Sequence, residues 1–232
     1  MIFRQLFDRD SCTYTYLLGD ASTGRAVLID PVIELVDRDL QFVAELGLTL
    51  AVSLDTHVHA DHVTAASVLK ERTGCAIAYP SSGEAEGPCM ALDHGDVLQV
   101  DAIKLLVRHT PGHTAGSATY VLGDQSMAFT GDTLLIRGCG RTDFQGGSAQ
   151  TLYASVHEQI FSLPDTTLLY PGHDYKGRTV TTVGEEKIHN PRLGGGRTVE
   201  QFAEIMANLN LAYPKKIDVA VPANRQLGAT AK

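Results

Sequence analysis

Apolar and polar positions alternate from the start of the chain. IFRQLF (2–7), TYTYLLG (13–19) and RAVLID (25–30) each read as a strand, the last two joined through the turn-like DASTGR. In ELVDRDLQFVAELG (34–47) the period changes. Val36, Leu40 and Val43 fall at helical spacing, and Gly47 ends the pattern. LTLAVSLDT (48–56) reads as a buried strand. HVTAASVLKERTG (62–74) reads as a helix, with Asp61 as its candidate cap and Gly74 at its end. Strands follow at CAIAYP (75–80), DVLQV (96–100), AIKLLVRHT (102–110), SATYVLG (117–123) and SMAFTGD (126–132), the final pair joined by the hairpin turn GDQ.

The last part of the chain carries two further helical patterns. SAQTLYASVHEQIFSLP (148–164) places Leu152, Val156 and Ile160 on one face and stops at Pro164. TVEQFAEIMANLNLA (198–212) keeps Val199, Phe202, Ile205 and Leu209 in phase. Between them lie the strand TTLLYPGHD (166–174) and the surface loop NPRLGGGRT (190–198); the tail GATAK (228–232) is expected to fray. Both halves run from strands through a helix to a strand that ends in histidine. Mixed sheets packed in two layers with helices outside fit this order.

Those strand ends are where the chemistry collects. THVHADH (56–62) puts His57, His59, Asp61 and His62 into one short run of a chain with nine histidines. His113 follows in HTPGHTAGS, Asp132 in FTGDT and His173 in YPGHD. A lone histidine in a loop is ordinary polar surface, and that reading serves for His94, His109, His157 and His189. Alone, Asp61 is a helix cap and Asp132 a turn residue. Seven imidazoles and carboxylates at strand ends together point to metal binding. Gly112 and Gly131 suit tight turns or close backbone approach before two of these groups. Spacing permits two metals: His57, His59 and His113 around one, Asp61, His62 and His173 around another, with Asp132 between. It equally permits one.

Composition narrows the function classes. Formal net charge is −8, and no basic run argues for nucleic acid. No apolar run approaches the roughly 20 residues of a membrane-spanning helix, and the N-terminal residues lack the apolar stretch of a signal peptide. Cys12, Cys75, Cys89 and Cys139 form no CxxC pair and read as reduced thiols of a cytoplasmic protein.

THVHADH resembles the HxHxDH signature of the metallo-β-lactamase superfamily, and His113, Asp132 and His173 match its later ligand positions in order. The resemblance covers nearly the whole chain. It implies an α/β fold, an αββα four-layer sandwich with two mixed β-sheets and metal at the sheet edges. Residues 1–232 are then a single domain, with a C-terminal extension from about 175 packed on it. GDTLLIRGCGRTDFQGG (131–147), YPGHDYKGRTVTTVGEEK (170–187), NPRL (190–193) and IDVAVPAN (217–224) further resemble the persulfide dioxygenase branch. The chain departs from that branch in PGHD, where alanine often precedes the histidine, and in its glycine-rich LGGGRT.

That branch oxidises glutathione persulfide with O2 to glutathione and sulfite. The resemblance implies one ferrous ion per chain on His57, His113 and Asp132, a two-imidazole, one-carboxylate facial triad. His59, Asp61, His62 and His173 then support the ligands or, in the alternative, hold a second metal. That alternative is a dinuclear zinc thioester hydrolase of the glyoxalase II type, which shares the GCGR segment but not TDFQGG. On an acidic chain the glutathione carboxylates call for local cations. Arg141, Arg192 and Arg225, with Tyr175, are the candidate contacts. Cys139 reads as a buried structural thiol. The expected partners are glutathione persulfide and O2, without nucleic acid or membrane; a homodimer is common for folds of this kind.

Overall fold

The computed structural model describes residues 1–229, so fraying at the last three residues of the tail lies outside it. One sheet runs in spatial order β1 (Ile2–Phe7), β2 (Tyr14–Gly19), β3 (Arg25–Ile29), β4 (Thr49–Leu54), β5 (Ala76–Pro80) and β6 (Met90–Leu92). Its first three strands are antiparallel and the rest continue parallel to β3. The second sheet contains β7 (Val97–Val100), β8 (Ile103–His109), β9 (Ala118–Leu122), β10 (Met127–Gly131), β11 (Leu168–Pro171) and β12 (Thr181–Thr182). Neighbours there are antiparallel except the parallel pair β10–β11. The helices are α1 (Val36–Glu45), α2 (Ala66–Thr73), α3 (Ala149–Ser155), α4 (Val183–His189), α5 (Val199–Ala207) and α6 (Ile217–Arg225).

The period of two sets the layers. Along β2, Tyr14, Tyr16 and Leu18 enter the core between the sheets, while Leu17 points the other way into a cluster with Val36, Val43 and Leu69 of α1 and α2. On the far side of the second sheet, Val121 and Leu169 pack against Leu152 of α3 and Phe202 and Met206 of α5. The order is therefore helix, sheet, sheet, helix, the four-layer sandwich expected from the motifs. Among the described residues no helix is long and apolar enough to cross a membrane.

Four expectations change. The helix after the histidine cluster starts at Ala66, and Asp61 caps nothing. The pattern at 148–164 is α-helical only to Ser155, then widens into a π turn at Val156–Ile160. The late helix stops at Ala207. His157 lies against Tyr153 and Phe161 instead of on the polar surface. The pattern also did not reveal α4 or α6. Pro222 inside α6 hides the latter, which tertiary contacts hold: Leu227 just after it packs with Val58, Ile77 and Tyr79.

Candidate metal centre

Five strands deliver their ends to one edge of the sandwich. The segment after β3 brings Asp30, that after β4 brings Asp55 to His62, that after β8 brings His113, and those after β10 and β11 bring Asp132 and His173. Gly112 and Gly131 have φ of +129° and +49°, and a methyl group on either would meet Leu152 at 2.3 Å or Thr56 at 2.6 Å, so glycine permits a close backbone approach just before His113 and Asp132.

His57, His113 and Asp132 converge, with candidate ligand atoms within 4.8 Å of one another. The orientation of both imidazoles is fixed from behind. His113 Nδ1 donates to the Arg141 carbonyl at 2.7 Å. His57 Nδ1 lies 2.9 Å from Thr56 Oγ1, whose proton goes to Asp30 Oδ2, also 2.9 Å away. Each ring therefore keeps its Nε2 lone pair for the centre, as metal-binding histidines do. Burial, then the neighbouring His59 and His113, push His57 well below its ordinary pKa, so it is neutral. Burial would raise the Asp132 carboxyl, but His173, His113 and His57 outweigh it and keep the group ionised. Two imidazole nitrogens and one carboxylate fit a divalent transition metal.

The remaining candidates bond to carboxylates. His59 Nε2 faces Asp30 at 3.2 Å and Asp55 at 3.5 Å; burial opposes its charge, but these carboxylates prevail and raise its pKa to about 10. His173 lies between two acids, Nδ1 2.6 Å from Asp132 Oδ1 and Nε2 2.9 Å from Asp61 Oδ2. His62 Nδ1 is 3.0 Å from the same Asp61 oxygen. His59, Asp61 and His62 form another close donor group, and Asp30, Asp55 and His59 a third.

The centre opens into a cleft of about 670 Å³, a size usual for small-molecule sites. Arg137, Arg141, Lys176, Arg178, Arg192, Lys215 and Lys216 line it, with Tyr175 and the metal-side groups Asp61, His113, Asp132 and His173. An acidic chain has thus gathered cations around one opening. Several are already engaged. Arg141 makes a two-pronged bond to Asp143 at 2.6 and 2.7 Å, donates to the Ala212 carbonyl and lies over the Phe144 ring. Arg137 pairs with Glu186 and Arg178 with Asp174. Lys176, Arg192 and Lys215 have no carboxylate partner among the described residues. Arg225 does not belong to this group. It is on α6, pairs with Glu84 and does not line the cleft, so its selection as a substrate contact is corrected.

Several contributors escaped the sequence reading. Asp30 and Asp55 each end an apolar run, and a buried acid there must find a partner; that was the available signal. Asn224 of α6 bonds three backbone groups of the histidine loop, the carbonyls of His59 and His62 and the N–H of Thr64, each at 2.8 Å. Nothing local marks it. Burial pushes the Cys139 thiol up to about 11, and its sulfur lies 3.7 Å from Met206 Sδ, in keeping with a structural thiol.

Two facing mixed sheets, helices on both outer faces and a histidine–aspartate donor set at the strand ends define the class. The chain belongs to the metallo-β-lactamase superfamily, whose sequence profile matches residues 10–88 and 91–173. Within it, the chain is 53% identical over 231 residues to persulfide dioxygenase ETHE1, mitochondrial, of Mus musculus, an alignment covering 98% of this chain and 89% of the relative. The Homo sapiens protein of the same name is 52% identical with the same coverage. The crystal structure of ETHE1 from Myxococcus xanthus superposes with a TM-score of 0.96 at 58% identity, covering 99% of this chain and all of that one.

Proposed function

We propose that the chain is a mononuclear non-haem iron persulfide dioxygenase, converting glutathione persulfide, O2 and water to glutathione and sulfite. The observation that carries this reading is the triad of His57, His113 and Asp132, with both imidazoles aimed from behind and the open side facing a cation-lined cleft. The likeness to the persulfide dioxygenases over nearly the full chain supports it. Ferrous iron held by this triad supplies the redox chemistry with O2 that zinc lacks.

The protein's own part is placement. The Arg141 carbonyl and the Asp30–Thr56 pair hold the two rings, which fixes the ligand geometry before substrate arrives. Lys176 and Lys215 are free to meet the glutathione carboxylates, Arg192 faces the same cleft while donating to the Cys139 carbonyl, and Tyr175, stacked parallel to His173 at 6.0 Å, offers a surface beside them. Holding the persulfide sulfur next to the O2 position removes the cost of bringing the reactants together. The hydrolase alternative needs Asp61, His62 and His173 as ligands, but these are bonded among themselves and to Asp132. We place the enzyme in the cytoplasm, on its four free cysteines.

Oxygen consumption is expected only with glutathione persulfide and reduced iron both present. An oxygen electrode, with sulfite assayed in parallel, tests this. Brisk hydrolysis of S-lactoylglutathione by anaerobically iron-loaded protein, with O2 untouched when persulfide is added, would sink the reading.

Arg141 lines the cleft and its partner Asp143 is exposed, so a glutathione carboxylate can exchange for Asp143; Arg141→Ala is then expected to raise KM for glutathione persulfide roughly ten- to hundredfold, the equivalent of about 1.5–3 kcal/mol for a lost charge-assisted bond. Iron content and kcat should hold, because Arg141 braces His113 through its backbone carbonyl, which alanine keeps. If the side chain only braces the loop through Asp143 and Ala212, KM stays put and thermal stability falls instead.

A further inference from the structure

Resting on the one-metal reading, we propose that Thr13 sets the metal count: its hydroxyl ties Asp61, His62 and His173 into a hydrogen-bonded knot that withholds them from a second ion.

Thr13 is fully buried. Its Oγ1 lies 3.0 Å from His173 Nε2, 3.1 Å from Asp61 Oδ2 and 3.3 Å from His62 Nδ1. A hydroxyl carries one proton and two lone pairs, so it can donate to the carboxylate while accepting from imidazole N–H groups. Asp61 Oδ2 is also within 3.0 Å of both ring nitrogens. An ion bound to Asp61 and His173 through these atoms would need bonds of about 2.0–2.2 Å to positions that protons and the hydroxyl now hold. It would have to break the knot and push Oγ1 aside.

Oγ1 has little room to yield. Thr13 forms an antiparallel bridge with His173, and on either side of it Tyr14 N donates to the Gly172 carbonyl and Asp174 N to the Cys12 carbonyl. Ser11 Oγ stands 2.7 Å behind the hydroxyl and is itself anchored on Asp8 at 2.6 Å. The hydroxyl is thus part of the sheet edge and not of a free loop.

A second observation shows that the withheld set is still competent. His62 Nε2 is buried with no hydrogen-bond partner among the described residues. With Nδ1 given to Asp61, this nitrogen keeps a lone pair that nothing else uses. The ligands of a second site are present but held, and vacating position 13 should release them.

The test is metal stoichiometry. Wild type, Thr13→Ala, Thr13→Gly and Thr13→Ser are loaded anaerobically with Fe(II), and separately with Zn(II), then desalted and analysed by elemental mass spectrometry. Wild type and Thr13→Ser should retain about one ion. The two variants that vacate the position should approach two, and the second zinc should bind them about 10- to 100-fold more tightly than it binds wild type, because it no longer has to break the hydrogen bonds of the Thr13 hydroxyl. Folded Thr13→Ala that stays at one ion beside a one-ion wild type overturns the role of Thr13 and leaves the dioxygenase reading intact. Wild type that holds two ions tightly overturns both. If the vacated variants fold poorly, Thr13→Val, which keeps the branched shape at the sheet edge and lacks the hydroxyl, takes their place: a folded Thr13→Val whose second zinc binds no more tightly than in wild type overturns the role of Thr13. Wild type with one ion but no persulfide-dependent oxygen uptake counts against the dioxygenase reading alone.

Discussion

Asp132→Ala is expected to lose its iron and, with it, all persulfide-dependent oxygen uptake, whereas His173→Ala keeps most of its iron. Asp132 is the one anionic donor in the triad, so removing it leaves two neutral imidazoles to hold a dication. It is also ionised at any working pH, because His173 and the other imidazoles outweigh its burial. His173 acts differently. Both its nitrogens already face carboxylates, Asp132 at 2.6 Å and Asp61 at 2.9 Å, so it orients Asp132 instead of offering a lone pair. Losing such an orienting bond typically costs about 10- to 100-fold in metal affinity, which loading at excess iron overcomes. Elemental analysis of the two purified variants, with circular dichroism to show that both are folded, decides the point. Iron lost from His173→Ala as completely as from Asp132→Ala would mean that His173 is itself a ligand.

Much of this site was legible because its residues announce themselves locally. Histidines are scarce, and a cluster of them just past an apolar strand has no packing purpose; the wider set of seven groups was picked out on that ground, and His57, His113 and Asp132 within it on family resemblance alone. The groups that aim them were not found, because their roles depend on distant partners. Thr56 is an ordinary strand-end threonine until Asp30, 26 residues earlier, takes its proton. Asn224 reads as one polar residue in a segment whose helix the pattern does not reveal, until it meets the His59 carbonyl, 165 residues away. Asp61 has the composition of a helix cap, yet the imidazoles of His62 and His173 compete better for its carboxylate than backbone amides do. Arg225 failed for a related reason: presence in a family-like segment says nothing about which way a side chain faces, and Glu84 was closer.

The GCGR segment, recognised at first only as a signature, has a physical reading that leads to the second large expected effect. After Asp132 the chain loops out and returns so that Gly140 N donates to the Asp132 carbonyl at 2.7 Å, and the Arg141 carbonyl meets His113 Nδ1. The NPRL segment staples the loop from outside: Asn190 donates to the Gly138 carbonyl and Arg192 to that of Cys139, both at 3.1 Å. At Gly140 the backbone passes directly over the His113 ring. A methyl group there would sit 2.6 Å from His113 Nδ1 and 2.5 Å from the Asp132 carbonyl oxygen, closer than real contacts allow. The stapled loop resists, so the ring must turn, losing its bond to Arg141 and the aim of Nε2. Gly140→Ala is therefore expected to weaken iron binding at least about 10- to 100-fold, with an overpacking cost of roughly 1–3 kcal/mol in stability. Gly138→Ala is the matched control. Two residues earlier in the same loop, its methyl would meet only Leu135 at 3.8 Å, an ordinary contact, and it should retain iron and activity. Iron titration and thermal unfolding on both variants separate a cradle for His113 from a generally brittle loop: equal losses in the two would point to the loop, and full iron in Gly140→Ala would remove the cradle altogether.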